Sequence, residues 1–436
     1  MSSPAYNIAP SSYLLHYIGY FPIPLSASTS CCIIYISMFP SLHHKKYRLY
    51  WMGSILVQIM SEMLNVAISW QLYQLTHSPL SLGMVGLARF LPVLVFSLLS
   101  GHISDRYSRR RVVIISLLFQ LIIALFSIYV VSAELVSSFF LYALIFVNAT
   151  IMVFGNPSRQ ALLPALVPRE DYLNAISVGQ LTYQISIVLG PSIAGFVIAG
   201  AGIAPVFILY AISVLVSLVC LYYVGAIPQE IQVQSMGRLQ SIRDGLHFVK
   251  KTRLIWSTMF IDFIATFFAS AMTLMPVFAS DILRVGPQGL GLLYAAPSVG
   301  AVIAGLLFNT KRKVTLKGRT IVIAIVVYGL ATCIFGLSRN FALSLTTIAI
   351  VGAADMISSI IRSTLRQMIT PDHMRGRMIS INMIFYMGGP QLGEVESGLA
   401  AALIGTPATV VVGGVATIVA TIFFALRIPE LLKYEN

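Results

Sequence analysis

Five carboxylates interrupt long apolar stretches of the chain: Glu62, Asp262, Asp355, Glu394 and Glu396. One base, Arg89, does the same. A charge at bilayer depth costs about 2.5–3.5 kcal/mol on insertion scales, so such groups face a cavity, a partner or a proton path. For each acid taken singly, proton coupling and a structural hydrogen bond both stand as readings. Glu394 and Glu396 are two positions apart, about 200° around a regular helix. One is expected to line a cavity and the other to pack between helices. Glu62 is the expected partner of Arg89, although their depths differ by about six residues, or about 9 Å. The alternative for Arg89 is a site for an anionic substrate. Trp70, Gln71, Tyr73, Asn148, Tyr183, Gln184, Tyr294, Asn382 and Tyr386 could add polar or aromatic cavity surface. Of these, Gln71 and Asn382 join Arg89 as substrate-cavity candidates.

Elements that place these groups at depth must be long and apolar. Of the 436 residues, 57% are hydrophobic and only 10% charged, too few to cover a water-soluble surface. Apolar runs bounded by Pro, Gly or charge predict twelve spanning helices. They lie at 52–75, 82–100, 112–131, 136–156, 173–199, 204–226, 254–279, 287–308, 320–338, 341–365, 375–403 and 406–427. With the stretch before Trp51 inside, alternation puts nearly every Lys and Arg in cytoplasmic segments, Arg362 and Arg366 included, and leaves Arg284 and Arg339 outside. That bias places both termini in the cytoplasm. It also accounts for the net charge of +13 without nucleic acid.

The spans divide into 51–226 and 254–427, joined by a cytoplasmic linker at 227–253, with a tail at 428–436. In the linker, Leu239, Ile242, Leu246 and Val249 recur at helical spacing and predict a short amphipathic helix on the membrane surface. The halves echo each other: Arg159-Gln160 against Arg366-Gln367, and Gly190-Pro191 against Gly389-Pro390, about 200 residues apart. Gly190, Pro191 and Gly195, with Gly389 and Pro390, are expected to break or kink spans five and eleven. Residues 1–50 read as an N-terminal extension. No Lys or Arg precedes Lys45, so a signal peptide's basic region is missing, and Met38 is the expected true start.

Between spans two and three runs Gly101-His-Ile-Ser-Asp105-Arg106-Tyr-Ser-Arg109-Arg110-Arg111. Gly101 permits close approach of two helix ends. Asp105 can accept from the amides opening the next helix, and the arginines can bind neighbouring helix ends. A purely topogenic cluster would need the arginines but neither Gly101 nor Asp105. The stretch resembles the loop signature G-x-x-x-D-R-x-x-R-R of the major facilitator superfamily, with Ser108 where Gly is frequent. The runs Ala67 to Gly83, Pro157 to Pro164 and Gly388 to Gly398 resemble its enterobactin-exporter and macrolide-efflux branch, the transmembrane secretion effectors. Likewise Gly190-Pro191-Ser-Ile-Ala194-Gly195 resembles the Gly-Pro motif of drug antiporters.

The resemblance implies an all-α membrane protein: twelve transmembrane helices in two six-helix pseudo-repeats around a central cavity. It implies a conformational-switch loop at Gly101, Asp105, Arg106, Arg109 and Arg110, and proton antiport exporting a drug, macrolide or siderophore-like compound by alternating access. The partners are then a small molecule, protons and lipid, with no nucleic acid, and the expected state is a monomer. An importer or facilitator of the same fold is the close alternative. A membrane enzyme or sensor is a more distant one. No phosphate-loop, HExxH or GxSxG motif is present, so no cofactor, metal or catalytic set is expected.

Overall fold

The computed structural model describes residues 39–225, 227, 246–310, 318–371 and 374–430. These residues form helices and their connections, with no strand among them. The long helices are α1 (Lys45–Thr76), α2 (Pro79–Arg106), α3 (Arg109–Ser132), α4 (Ser138–Leu162), α5 (Tyr172–Ala201) and α6 (Ala204–Val224). They continue with α7 (Arg253–Phe268), α8 (Gly286–Thr310), α9 (Gly318–Leu337), α10 (Phe341–Ile369), α11 (Arg375–Ile404) and α12 (Thr406–Arg427). Eleven of these spans are long and apolar enough to cross a membrane. The remaining one, α11, has the length, at 30 residues, but carries Gln391, Glu394 and Glu396. Large apolar side chains such as Phe139, Phe196, Leu306 and Leu403 point outward from the bundle. In a helix bundle that exposure marks a lipid-facing belt.

Local chemistry sets the ends. Proline in the first turn opens α2, α6 and α12, where its missing N–H costs nothing. Ser137 and Asn340 cap α4 and α10 by accepting from Phe140 N and Leu343 N. Gly405, at φ +85°, lets α11 turn straight into α12. The connections joining α1 to α2, α3 to α4, α5 to α6, span seven to α8, α9 to α10 and α11 to α12 share one end of the bundle, the turn face. The opposite end, rich in Lys and Arg, is the basic face.

Packing repeats between the halves. In the first, α1 packs on α5 and α6, α2 on α4, and α3 on α4 and α6. In the second, α7 packs on α11 and α12, α8 on α10, and α9 on α10 and α12. Adding six to each helix number converts one list into the other, which is the two-repeat architecture expected from the sequence. The halves meet through α2 against α11 and α5 against α8, themselves related by the same operation. A Cβ at Gly83 would sit 2.7 Å from Gly398 Cα, and one at Gly195 would sit 3.2 Å from Gly291 Cα. Glycine is required at these crossings because backbone meets backbone. Both crossings lie toward the turn face.

The helix break falls elsewhere than the sequence suggests. Helices α5 and α11 run unbroken through Pro191 and Pro390. One lost N–H bond is tolerated where a neighbouring helix braces the turn. Gly190 lies against the α1 backbone at Ile59 and Met63, and Gly389 against Thr266 and Phe263 of α7. The interruption is in span seven, at Ala269 and Ser270. Beyond it the chain runs as a 3-10 turn (Ala271–Leu274), a helical turn (Met275–Val277) and a π turn (Phe278–Ile282).

The first helix begins at Lys45, inside the stretch read as an extension. Ser41, His44 and Tyr47 bind Asn174, Asp171 and the Ala175 carbonyl, tying this start to α5. Met38 and most of the linker lie outside the described residues. Residues 246–251 are helical, and Val249 is buried in a cluster with Ile255, Met259, Met378 and Ile381.

Candidate functional site

Two cavities open between the halves and share a wall. The first, about 210 Å³, is lined by Glu62, Asn65 and Ser69 of α1, Arg89 of α2, Pro191 of α5, Met272 and Thr273 beyond the α7 break, Tyr294 of α8 and Glu394 of α11. The second, about 370 Å³, is lined by Arg89, Tyr183, Asp262, Thr266, Asp355, Tyr386, Pro390, Gln391 and Glu394. Arg89 and Glu394 line both.

A polar chain links the halves there. Arg89 Nη1 lies 3.6 Å from Glu394 Oε1. Its Nη2 donates to Asn65 Oδ1 at 3.4 Å, and Asn65 Nδ2 donates to Glu62 Oε2 at 3.4 Å. The expected Glu62–Arg89 pair is thus replaced: Arg89 takes Glu394 from the other half and reaches Glu62 through Asn65. The difference in depth seen in the sequence is the reason, since Asn65 is nearly one turn beyond Glu62. Of the acids two apart on α11, Glu394 faces the cavities, while Glu396 lines neither and accepts from Ser397 Oγ.

A second charged cluster belongs to one half. Arg362 Nη2 stands 2.7 Å from Asp262 Oδ1 and 3.5 Å from Asp355 Oδ1, and its Nη1 donates to Ser358 Oγ at 2.7 Å. Arg362 and Arg366 are 2% and 6% exposed, so the reading of both as loop charges, and of Arg89 as the lone buried base, is corrected. They are helix residues packed inward from α10. Asp355, Ser358, Arg362 and Arg366 follow at i, i+3, i+7 and i+11, one face of a helix, and that spacing was the available signal.

The turn face is closed by a further cross-half contact: Tyr73 Oη on α1 donates to Asp281 Oδ2 in the π turn after α7, at 2.5 Å. At the basic face, Arg109 donates to the Ala161 carbonyl ending α4, and Arg110 to the Leu221 and Tyr222 carbonyls ending α6. Both reach carbonyls in the last turns of their helices, and Tyr222 O also accepts from Gly225 N. Arg106 is exposed. The surroundings of Gly101 and the side chain of Asp105 lie outside the described residues. Gln71 and Asn382 line neither cavity.

A family model described as transmembrane secretion effector matches residues 36–435. The chain belongs to the transmembrane secretion effector family. As a member of this branch of the major facilitator superfamily it is a secondary transporter for a small molecule, a multi-pass inner-membrane protein, and not an enzyme. The enterobactin exporter EntS of Citrobacter koseri is 26% identical over 400 residues, covering 90% of this chain and 94% of that protein. EntS of Escherichia coli O1:K1 is 25% identical over the same shares. Among solved structures, a bacterial homologue of the lysosomal transporter Spinster, inward-facing and unoccupied, superposes with a TM-score of 0.70 at 14% identity, covering 89% of this chain and 98% of the other. A bacterial homologue of the iron transporter ferroportin, also inward-facing, gives 0.69 at 14% identity, covering 89% and 99%. At that identity the likeness speaks for the fold alone.

Proposed function

We propose that this secretion effector exports a small amphipathic compound by proton antiport, with 51–226 and 254–427 as units that rock about the central cavities. The observation that carries the reading is the shared wall of the two cavities. Arg89 comes from one half, Glu394 from the other, and each faces both spaces. A proton arriving at Glu394 removes the charge that attracts Arg89, loosens the pair between halves, and so changes the balance of states. Asp262 and Asp355 offer a second protonation point, held by Arg362 within one half.

The basic face is taken as cytoplasmic, with both termini there. The close crossings lie toward the other face, as does the Tyr73–Asp281 bond. This arrangement is then the inward-open state, which loads substrate from the cytoplasm. Export in exchange for an entering proton completes the cycle. By likeness to the enterobactin exporters, a siderophore-like or drug-like compound is the starting panel.

The experiment is substrate-induced proton flux in proteoliposomes holding wild type, Glu62→Gln, Asp262→Asn, Asp355→Asn, Glu394→Gln and Glu396→Gln. Proton movement tied to substrate, lost in Glu394→Gln and kept in Glu396→Gln, is the expected result. Transport with no proton movement in any of the six overturns antiport.

A further inference from the structure

The charges around the cavities do not cancel one for one. Arg89 answers Glu394, and Arg362 answers Asp262 and Asp355, with buried Arg366 also in electrostatic reach of Asp262. Glu62 lines the first cavity, and its hydrogen bond comes from the neutral amide of Asn65. Arg89 acts on it through space from beyond that amide. Of the four carboxylates along the walls of the two spaces, Glu394 has Arg89, Asp262 and Asp355 have the arginines of α10, and Glu62 is the one with no ion pair among the described residues.

A further observation points the same way. Tyrosines stand in both walls: Tyr294 in the first cavity, Tyr183 and Tyr386 in the second. Tyr183 is within electrostatic reach of Glu62, so the aromatic wall of one space adjoins the carboxylate of the other.

Carboxylates and ring faces are the groups that bind an organic cation. A charge-assisted hydrogen bond holds its charged end, and rings attract the cation through their negative faces. Away from water both effects grow, while an anion meets like charges. A second space of about 370 Å³ is within the size range of drug-sized sites.

We propose that the cavities take an amphipathic organic cation and that Glu62 holds its charged group. The proposal rests on the transporter reading above and narrows its substrate to one sign of charge. Glu62 is then the specificity-determining residue, separate from the Arg89–Glu394 pair between the halves.

The test uses the purified full chain in lipid nanodiscs and two dyes on one xanthene scaffold, cationic rhodamine 6G and anionic fluorescein, read by fluorescence anisotropy. Rhodamine 6G is expected to bind at least about tenfold more tightly, the worth of one charge-assisted contact. Glu62→Gln is expected to remove about that factor, and Glu62→Asp to keep most of it. A measurement on wild type alone guards against a misfolded variant: tetraphenylphosphonium displaces rhodamine 6G, and tetraphenylborate, its anionic counterpart, does not. Fluorescein binding as tight as rhodamine 6G, binding of neither dye, or displacement by both tetraphenyl ions overturns the proposal. So does unchanged rhodamine 6G affinity in a folded Glu62→Gln protein. Energised accumulation of any compound in everted vesicles supports the transporter reading separately, whatever that compound's charge.

Discussion

Arg362 on α10 holds Asp262 on α7 at 2.7 Å, with Asp355 of its own helix at 3.5 Å on the same guanidinium nitrogen. One cation therefore joins two helices and separates two like charges. Removing one partner of a buried pair costs about 3–5 kcal/mol, because the other charge is left without compensation. Arg362→Met is expected to lower the detergent unfolding midpoint strongly. The double variant Arg362→Gln/Asp262→Asn is expected to lose less. Equal losses in the two would mean that the guanidinium does not hold the carboxylates.

Tyr73→Phe removes the hydroxyl that reaches Asp281 across the turn face. A hydrogen bond to a charged group is worth about 1.5–3 kcal/mol, so the balance is expected to move about tenfold or more toward an open turn face. Met272, between the α7 break and Asp281 in the chain, lines the first cavity. Met272→Cys should react faster with a membrane-impermeant maleimide applied from the turn face when Tyr73 is Phe. Unchanged labelling would remove the latch role.

The Gly83–Gly398 crossing has no room for a branched side chain. Gly398→Val is expected to insert normally and to lose transport, because the turn face can no longer close. Gly83→Ala, whose Cβ would meet Gly398 Cα at 2.7 Å, is expected to lose transport as well. Transport at the wild-type rate in both variants would show that the crossing need not close during the cycle.

Arg110→Ala removes the guanidinium donor from the Leu221 and Tyr222 carbonyls, and Tyr222 O keeps only Gly225 N. The loss expected is about 1–3 kcal/mol, seen as a lower unfolding midpoint. Arg110→Lys should recover only part, because an ammonium lacks the fork that reaches two carbonyls. Full recovery by lysine would reduce the contact to charge alone.

The twelve spans were legible because each is an apolar run stopped by Pro, Gly or charge, and lipid requires such runs. Arg89 and the acids in the spans were legible as charges out of place. Arg362 and Arg366 were not, because alternation of topology counts any arginine near a basic loop as part of it. Their helical spacing from Asp355 was the contrary signal. The partner of Arg89 was also hidden: Glu394 lies 305 residues on in the chain, and sequence distance says nothing about which helices cross. The Gly-Pro pairs misled in the opposite direction. A proline breaks an isolated helix, yet here the flanking glycine lets a neighbour press against the turn and hold it. The true break, at Ala269 and Ser270, contains neither residue type, and the residues beyond it are held by Tyr73 from the other half.

The paired glycines where α2 meets α11 also bear on inheritance. The two halves follow one plan, but Gly83 and Gly398 each accommodate a surface that only the opposite half presents. A half taken from another family member will fit only if its own crossing residue is equally small. Chimaeras should therefore fail more often at these two contacts than within either bundle, and natural variation at one glycine should be tied to the other, across 315 positions of chain.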